Sequence, residues 1–382
     1  MRFLHTADWH LGRLFHGRSL IEDQVHVLDR FVALVRDVRP DAVLIAGDVY
    51  DRAVPPAEAV NLLDDTLSRI VLGEGVPVVL IAGNHDSAER LGFGARLFAD
   101  HGLTIAGRID AAPVVVPFED AHGRVMVHAL PYADPAQVRD ILGVEITGHD
   151  AAMAALVARA RAAHPAGARS VLVAHAFVAG GSESESERPL SVGGSGTVDA
   201  AHFAGFDYVA LGHLHRPQRA GADHVQYSGS LLKYSLSEVD HAKSVSLVEL
   251  GAAGETTIER IALEPLRDLR RVSGTLDDVL GAAARDGARD DYVFASLTDR
   301  GALLDPMARL REVYPNVLGC ERTVLSGFGG GAARRARSRK LDTRALFADF
   351  FREVAGEPLD AAQSAALDEA LEGLARDARE VR

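Results

Sequence analysis

Along the first 262 residues, short apolar runs alternate with stretches of helical periodicity. The runs are RFLH (2–5), AVLIAGD (42–48), VPVVLIAGNHD (76–86), RVMVHAL (124–130), SVLVAH (170–175), YVALGH (208–213), SVSLVEL (244–250) and TTIERIAL (256–263). Between the first and second, Val25, Leu28, Val32 and Val35 recur at helical spacing. Between the second and third, Val60, Leu63, Leu67 and Ile70 do the same. Strands that read as nearly continuous hydrophobes, separated by amphipathic helices, predict an α/β fold with its sheet covered on both sides. The last two runs alternate polar and apolar more cleanly, as edge or hairpin strands do.

The pattern changes at Pro265. LRDLRRVSG (266–274), a helical LDDVLGAAARDG (276–287), DYVFASLTD (291–299), a helical DPMARLREVYP (305–315) and VLGCERTVL (317–325) predict a small α+β unit. The glycine- and arginine-rich stretch that follows reads as a flexible basic tether over 327–341. The expected division is therefore 1–264, 265–326, a linker at 327–341, and a helical segment at 342–382. In that last segment Leu346, Phe347, Phe350, Phe351 and Val354 form one apolar stripe, and Leu367, Ala370, Leu371 and Leu374 form another. Such a helical hairpin has little core of its own. It either folds back on the chain or, the preferred reading, docks on a partner protein.

Composition narrows the class. Apolar residues make up 47% and charged residues 25% of 382, a globular profile with a real core. No apolar run approaches the roughly 18–20 residues that span a bilayer. The N-terminal MRFLHTADWHLG lacks the apolar stretch of a secretion signal. One cysteine, Cys320, excludes an intrachain disulfide, so a reducing compartment, the cytoplasm, is expected. A net charge of −13 argues against a general electrostatic footprint for nucleic acid, but bound divalent cations reverse the sign inside a cleft.

The chemistry lies at the C-terminal ends of the runs. RFLHTADWH ends in Asp8 and His10; VLIAGDVYD in Asp48 and Asp51; VVLIAGNHD in Asn84, His85 and Asp86; VLVAH in His175; VALGHLH in His213 and His215. Loops at the carboxyl ends of strands in layered α/β folds converge on one crevice. A lone histidine after a strand is usually structural, and a lone Gly-Asp is usually a turn. Five such ends together point to one cluster. Carboxylate, amide and imidazole without thiolate suit Mn²⁺, Zn²⁺ or iron, and the set exceeds what one ion needs. Two ions about 3.5–4 Å apart, bridged by a carboxylate, would use them all. His5, His16, His128 and His149 are read as structural or solvated.

The order D-x-H, G-D-x-x-D, G-N-H-D, H, G-H-x-H resembles the calcineurin-like metallophosphoesterases, whose fold is a β-sandwich covered by helices. MRFLHTADWHLG, GDVYDRAVPP, IAGNHDSAERL, ESERPLSVGGSGTVD, YVALGHLHRPQ and YSGSLLKYSLSE are similar, within them, to the SbcD family of bacterial nuclease subunits. The likeness is strong over 1–265 and rests on arrangement beyond that. It implies that Asp8, His10 and His215 hold one ion, that Asn84, His175 and His213 hold a second, and that Asp48 bridges them. It implies Mn²⁺ for both. His85 matches the non-ligand histidine that protonates the leaving 3′ oxygen or stabilises the transition state. Asp51 and Asp86 are left as supporting carboxylates. The segment 181–197 would border the cleft.

The implied function is DNA cleavage, as a 3′→5′ exonuclease and an endonuclease on single strands and hairpins, in end processing, recombination and repair. Residues 265–326 would cap the DNA cleft. The C-terminal helices would grip the SbcC ATPase, in a heterotetramer built on a nuclease homodimer. Two other readings stay open: a small-molecule phosphodiesterase or phosphatase with the same metal chemistry, and a non-catalytic scaffold that binds DNA ends.

Overall fold

In a computed structural model of the chain, residues 1–110, 112–188, 190, 196–299, 303–323, 343–355 and 358–380 are described. The expected tether at 327–341 lies outside them. The chain divides into two compact units, Met1–Asp268 and Leu269–Arg382.

The first unit carries twelve main strands: β1 (Arg2–Thr6), β2 (Ala42–Ile45), β3 (Val78–Ile81), β4 (Leu103–Ala106), β5 (Val114–Asp120), β6 (Gly123–Leu130), β7 (Arg169–His175), β8 (Tyr208–Gly212), β9 (Gln218–Ala220), β10 (Ala222–Tyr227), β11 (Ser244–Leu250) and β12 (Thr256–Ala262). They form two six-stranded sheets, ordered β12-β11-β1-β2-β3-β4 and β9-β10-β8-β7-β6-β5. The centres are parallel: β1 with β2, β2 with β3, and β7 with both β6 and β8. Antiparallel pairs close the margins, β11 with β12 on one sheet and β5 with β6 on the other.

The sheets pack face to face. Phe3, Leu44, Val79 and Ile81 of the first meet Val127, Val171, Val173 and Ala210 of the second in one fully buried layer. Leu4, Val43, Ile45 and Leu80 point the other way and are equally buried, so the outer face is covered too. On the second sheet, Leu172, Val209 and Leu211 face outward against α3 (Pro135–Leu142) and α4 (His149–Ala162), which contribute Val138, Met153, Leu156 and Val157.

Two earlier helices connect the strands of the first sheet, α1 (Ile21–Val38) between β1 and β2 and α2 (Ala57–Ser68) between β2 and β3. Their inner faces are Val27, Leu28, Phe31, Val32 and Val35 in α1, and Ala59, Leu62, Leu63 and Leu67 in α2. Val25 and Val60, read as part of these stripes, are 41% and 43% exposed. Each stands roughly a quarter turn from the centre of its buried arc, at the same helical phase. α1 ends where Arg39 turns left-handed and its N–H bonds Val35.

Four strands left no clear periodic signature, among them the three-residue β9. β4 is short and half-buried, β5 carries Pro117 on a sheet edge, and β10 opens on Ala222, Asp223 and His224. β11 and β12 form the expected hairpin, but β11 lies inside the sheet between β1 and β12.

The second unit contains β13 (Leu269–Gly274), α5 (Leu276–Ala283), β14 (Tyr292–Leu297), α6 (Pro306–Val313) and β15 (Val317–Arg322), the strands parallel in that order. Val279, Val293, Leu297, Leu310, Tyr314 and Val317 make its core. A Thr275–Asp278 capping box starts α5. Two further helices follow, α7 (Thr343–Ala355) and α8 (Ala361–Glu380). Leu346, Phe347 and Phe350 of α7 are exposed. Val354 and Leu374 lie outside the residues whose side chains are described.

Candidate metal centre

The loops leaving β1, β2, β3, β7 and β8 are stitched into one floor by their own backbones. Asp8 donates its N–H to Gly47 and His10 to Asp48, both at 3.0 Å. His85 donates to Asp48 Oδ1 at 2.8 Å, and His213 donates to both carboxylate oxygens of Asp8 at 3.0 and 3.1 Å. The bends needed for this are costly. Asp8, His10, Asp48 and His213 all hold positive φ, at 54°, 45°, 47° and 110°. Side chains other than glycine rarely adopt that region, and such strain concentrates where geometry is functional.

The floor brings the predicted residues together. Asp8, His10 and His215 offer ligand atoms within 4.8 Å of one another, as do Asp48, His175 and His213. Asp48 Oδ2 stands between the two groups, 3.8 Å from His10 Nε2 and 3.5 Å from His175 Nε2. Asn84 Oδ1 faces His175 Nε2 at 2.9 Å and His213 Nδ1 at 3.1 Å. All the imidazoles are buried, His85 included. His85 Nδ1 donates to the Asp51 carbonyl at 2.8 Å, which leaves Nε2 facing Asp48 Oδ2 at 4.0 Å.

Asp51 sits closer to the cluster than a mere turn residue. Its Oδ1 accepts from Arg13 at 2.8 Å and lies 3.7 Å from His10 Nδ1; with His10 and His85 it forms a third group of converging donors. Asp86 ties backbone instead. Its carboxylate accepts from Val49, Tyr50 and Gly83 N–H at 3.1, 2.9 and 2.9 Å, clamping the loop after β2 to the loop after β3.

The donor set suits divalent cations on its own chemistry. His175 Nδ1 donates to the Ala46 carbonyl at 2.9 Å, so in the neutral ring the Nε2 lone pair, Asn84 Oδ1 and Asp48 Oδ2 all converge with no proton between them. Among the described residues, buried His10 Nδ1 has no hydrogen-bond partner. Converging lone pairs in a buried pocket call for positive charge. Burial opposes protonation of His175, yet the carboxylates of Asp48 and Asp8 outweigh it and raise the ring to about 9. A bound cation would take the place of that proton. Burial, helped by the charge on His175, holds His213 down to about 3 and keeps it a neutral donor. Burial would raise Asp48, but the His175, His85 and His10 rings hold its carboxyl well below the ordinary range.

Several groups around the site were not singled out from the sequence. Glu238, fully buried, contacts His215 Nδ1 at 3.3 Å and pairs with Lys243 Nζ at 2.6 Å. Burial would raise its carboxyl, but hydrogen bonding from His215 and the charge of Lys243 hold it well below its usual value. Ser186 and Glu187 also reach His215. Gln24 braces the first loop, donating to the His10 carbonyl at 2.8 Å. Only the SLSE and ESER tetrapeptides hinted at these, within longer stretches of resemblance. His149 donates to the Leu190 carbonyl at 3.0 Å, and His5 is buried against Tyr208.

Fold and site together define a metallophosphoesterase. A family model described as Calcineurin-like phosphoesterase matches residues 1–217, and one described as Type 5 capsule protein repressor C-terminal domain (SbcD_C) matches 265–355. The D subunit of nuclease SbcCD from Staphylococcus saprophyticus is 33% identical over 377 residues, 98% of each chain. The protein of the same name from Staphylococcus epidermidis is 30% identical over 365 residues, covering 95% of this chain and 96% of that one. A hypothetical protein from Thermus thermophilus, of known crystal structure, aligns at TM-score 0.40 and 13% identity over 69% of this chain and 100% of its own. The chain belongs to the calcineurin-like phosphoesterases and, within them, to the SbcD family, the D subunits of nuclease SbcCD. Among the described residues no helix is long and apolar enough to cross a membrane.

Proposed function

We propose that this chain is the nuclease subunit of an SbcC-type complex, a cytoplasmic enzyme that hydrolyses DNA phosphodiesters with Mn²⁺, from 3′ ends and within single strands and hairpins. One observation carries the reading: carboxylates, an amide and imidazoles from five strand ends meet in one buried cluster. Two divalent ions held by Asp8, His10, His215, Asp48, Asn84, His175 and His213 would supply charge neutralisation at the phosphate and an activated water. The protein's part is geometric. Asp48 sits between the two ligand groups, and the backbone bonds among the loops fix the separation before substrate arrives. His85 is anchored through Nδ1 to the Asp51 carbonyl, so Nε2 is the atom left to hand a proton to a leaving 3′ oxygen or to stabilise its charge.

Assembly follows the family pattern. Residues 265–326 would serve as the capping domain, and 342–382 as the SbcC-docking segment, an assignment supported by the exposed Leu346, Phe347 and Phe350. The first unit exposes Leu72 and Phe93 at an apolar hollow of about 350 Å³ also lined by Leu63, Leu67, Leu80 and Phe98. The chain is proposed to act as a homodimer within that assembly.

The test is hydrolysis of end-labelled single-stranded and hairpin DNA, with bis(p-nitrophenyl) phosphate in parallel, in Mn²⁺ and in EDTA. DNA cleavage that needs the metal is expected, and turnover of the small ester alone overturns the nuclease reading. In the same assay His85→Ala, which spares every proposed ligand, should lower cleavage roughly 10²-fold or more. Unchanged activity would remove His85 from the reaction.

A further inference from the structure

We propose that the segment Ser184–Glu187, together with Glu238 and Lys243, is a positioning unit for His215 that governs one ion site and leaves the other untouched. The inference rests on the metal-binding reading above and adds residues that no ligand role covers.

Every polar atom of His215 but one is occupied by this unit or its neighbours. Its backbone N–H donates to Glu187 Oε1 at 2.8 Å, and its carbonyl accepts from Lys243 Nζ at 2.8 Å and from Ser230 N–H at 3.2 Å. Its Nδ1 meets Ser186 Oγ at 2.6 Å and Glu238 Oε1 at 3.3 Å. Glu238, paired with Lys243, can only accept. Ser186 therefore gives its hydroxyl proton to Glu238 and accepts the one on His215 Nδ1. The relay places the ring proton on Nδ1 and leaves the Nε2 lone pair pointing inward, 3.0 Å from His10 Nε2. Imidazole ligands need that arrangement: the metal takes one nitrogen and a fixed acceptor takes the proton on the other.

The acceptor is itself held rigidly. Glu238 also accepts from Ser184 Oγ at 3.0 Å, from Ser235 Oγ at 3.3 Å and from Tyr234 N–H at 3.2 Å. The segment is pinned beside it, with Glu185 N–H donating to Ser237 Oγ at 2.9 Å. Among the described residues, the side-chain hydrogen bonds of Ser184, Ser186, Glu187, Glu238 and Lys243 reach none of Asp48, Asn84, His175 and His213. The second group has its own anchor in the Ala46 carbonyl. Loosening the relay should therefore weaken the ion of Asp8, His10 and His215 and spare the other.

The experiment is titration of the purified full chain with Mn²⁺ alone, by calorimetry and by manganese electron paramagnetic resonance, with melting temperatures measured in EDTA. Wild type should bind two ions per chain. Ser186→Ala and Glu238→Gln should weaken one of them roughly 10- to 100-fold and keep the other at wild-type affinity. Ser186→Thr, which restores the hydroxyl, should recover the lost affinity. Where Glu238→Gln does not fold, the Ser186 pair decides. Wild-type affinity for both ions in Ser186→Ala, or equal weakening of both, overturns the inference while the metal reading stands. A wild-type chain that binds no Mn²⁺ overturns the metal reading and this inference with it.

Discussion

At the scale of single residues, burial and the partner on the far nitrogen decide what each imidazole does. His175, His215 and His85 each have one nitrogen committed, to the Ala46 carbonyl, to the Ser186–Glu238 relay and to the Asp51 carbonyl, so the other nitrogen is presented inward in a known form. His5 shows the opposite case. It lies between Tyr208 Oη at 2.8 Å and the Leu211 carbonyl at 3.2 Å, and burial lowers it to about 3, an effect that the Leu211 carbonyl only partly offsets. The folded chain therefore keeps His5 neutral where the unfolded chain, near pKa 6.5, takes up a proton. Stability from this ring is complete above pH 6.5 and is lost as pH falls from there toward 3. The loss reaches about 3 kcal/mol by about pH 4, at about 1.4 kcal/mol per unit. Thermal melts in EDTA between about pH 7.5 and about pH 4 should show that slope. They should show it reduced in His5→Gln, and equal slopes would remove His5 as its source.

At the scale of elements, the glycines that end the strands set how closely the loops approach. A Cβ on Gly83 would fall 2.1 Å from Asp48 Oδ1 and 2.3 Å from the Asp48 nitrogen; one on Gly212 would fall 1.9 Å from the Ala46 carbonyl oxygen. Neither obstacle is a flexible side-chain end that could swing aside without moving the site. The Gly before Asn84 and the Gly before His213 are thus what lets neighbouring strand ends share one cluster. Gly83→Ala should leave a folded protein that has lost most of its Mn²⁺ affinity, because Asp48 stands between the two ligand groups. Circular dichroism with metal titration checks this, and wild-type binding in a folded variant would show that the loops can yield. Asp86 serves the same junction from the other side by holding three backbone N–H groups.

At the scale of the whole molecule, a chain of net charge −13 is a poor general partner for DNA, yet its site is built to concentrate cations where a phosphate would sit. On the proposed reading, catalysis and assembly occupy different stretches of sequence. The candidate ligands all come from residues 8–215, whereas the exposed aromatic face of α7 lies beyond 342. Deleting 342–382 should abolish SbcC binding in a pull-down and leave Mn²⁺-dependent cleavage of single strands within about twofold. Retained partner binding would show that the tail is not the docking segment.

The order of residues was enough to announce the strands of the parallel sheet centres and the nitrogen and oxygen donors at their ends. A buried strand must be apolar along its length, and a sharp polar ending then stands out. Strands toward the margins of the sheets were less legible. β5 with its proline and β10 with its polar start face water on part of their surface, so no periodicity betrayed them. Val25 and Val60 keep the helical spacing yet stand exposed, because helical phase alone does not say where a buried arc ends. Which donors share an oxygen of Asp48, and that Glu238 and Ser186 set the proton on His215 from 23 and 29 residues away, was decided only by tertiary structure. Such partners meet across loops of differing length, and hydrogen bonds between them follow distance in space, which a linear pattern does not encode.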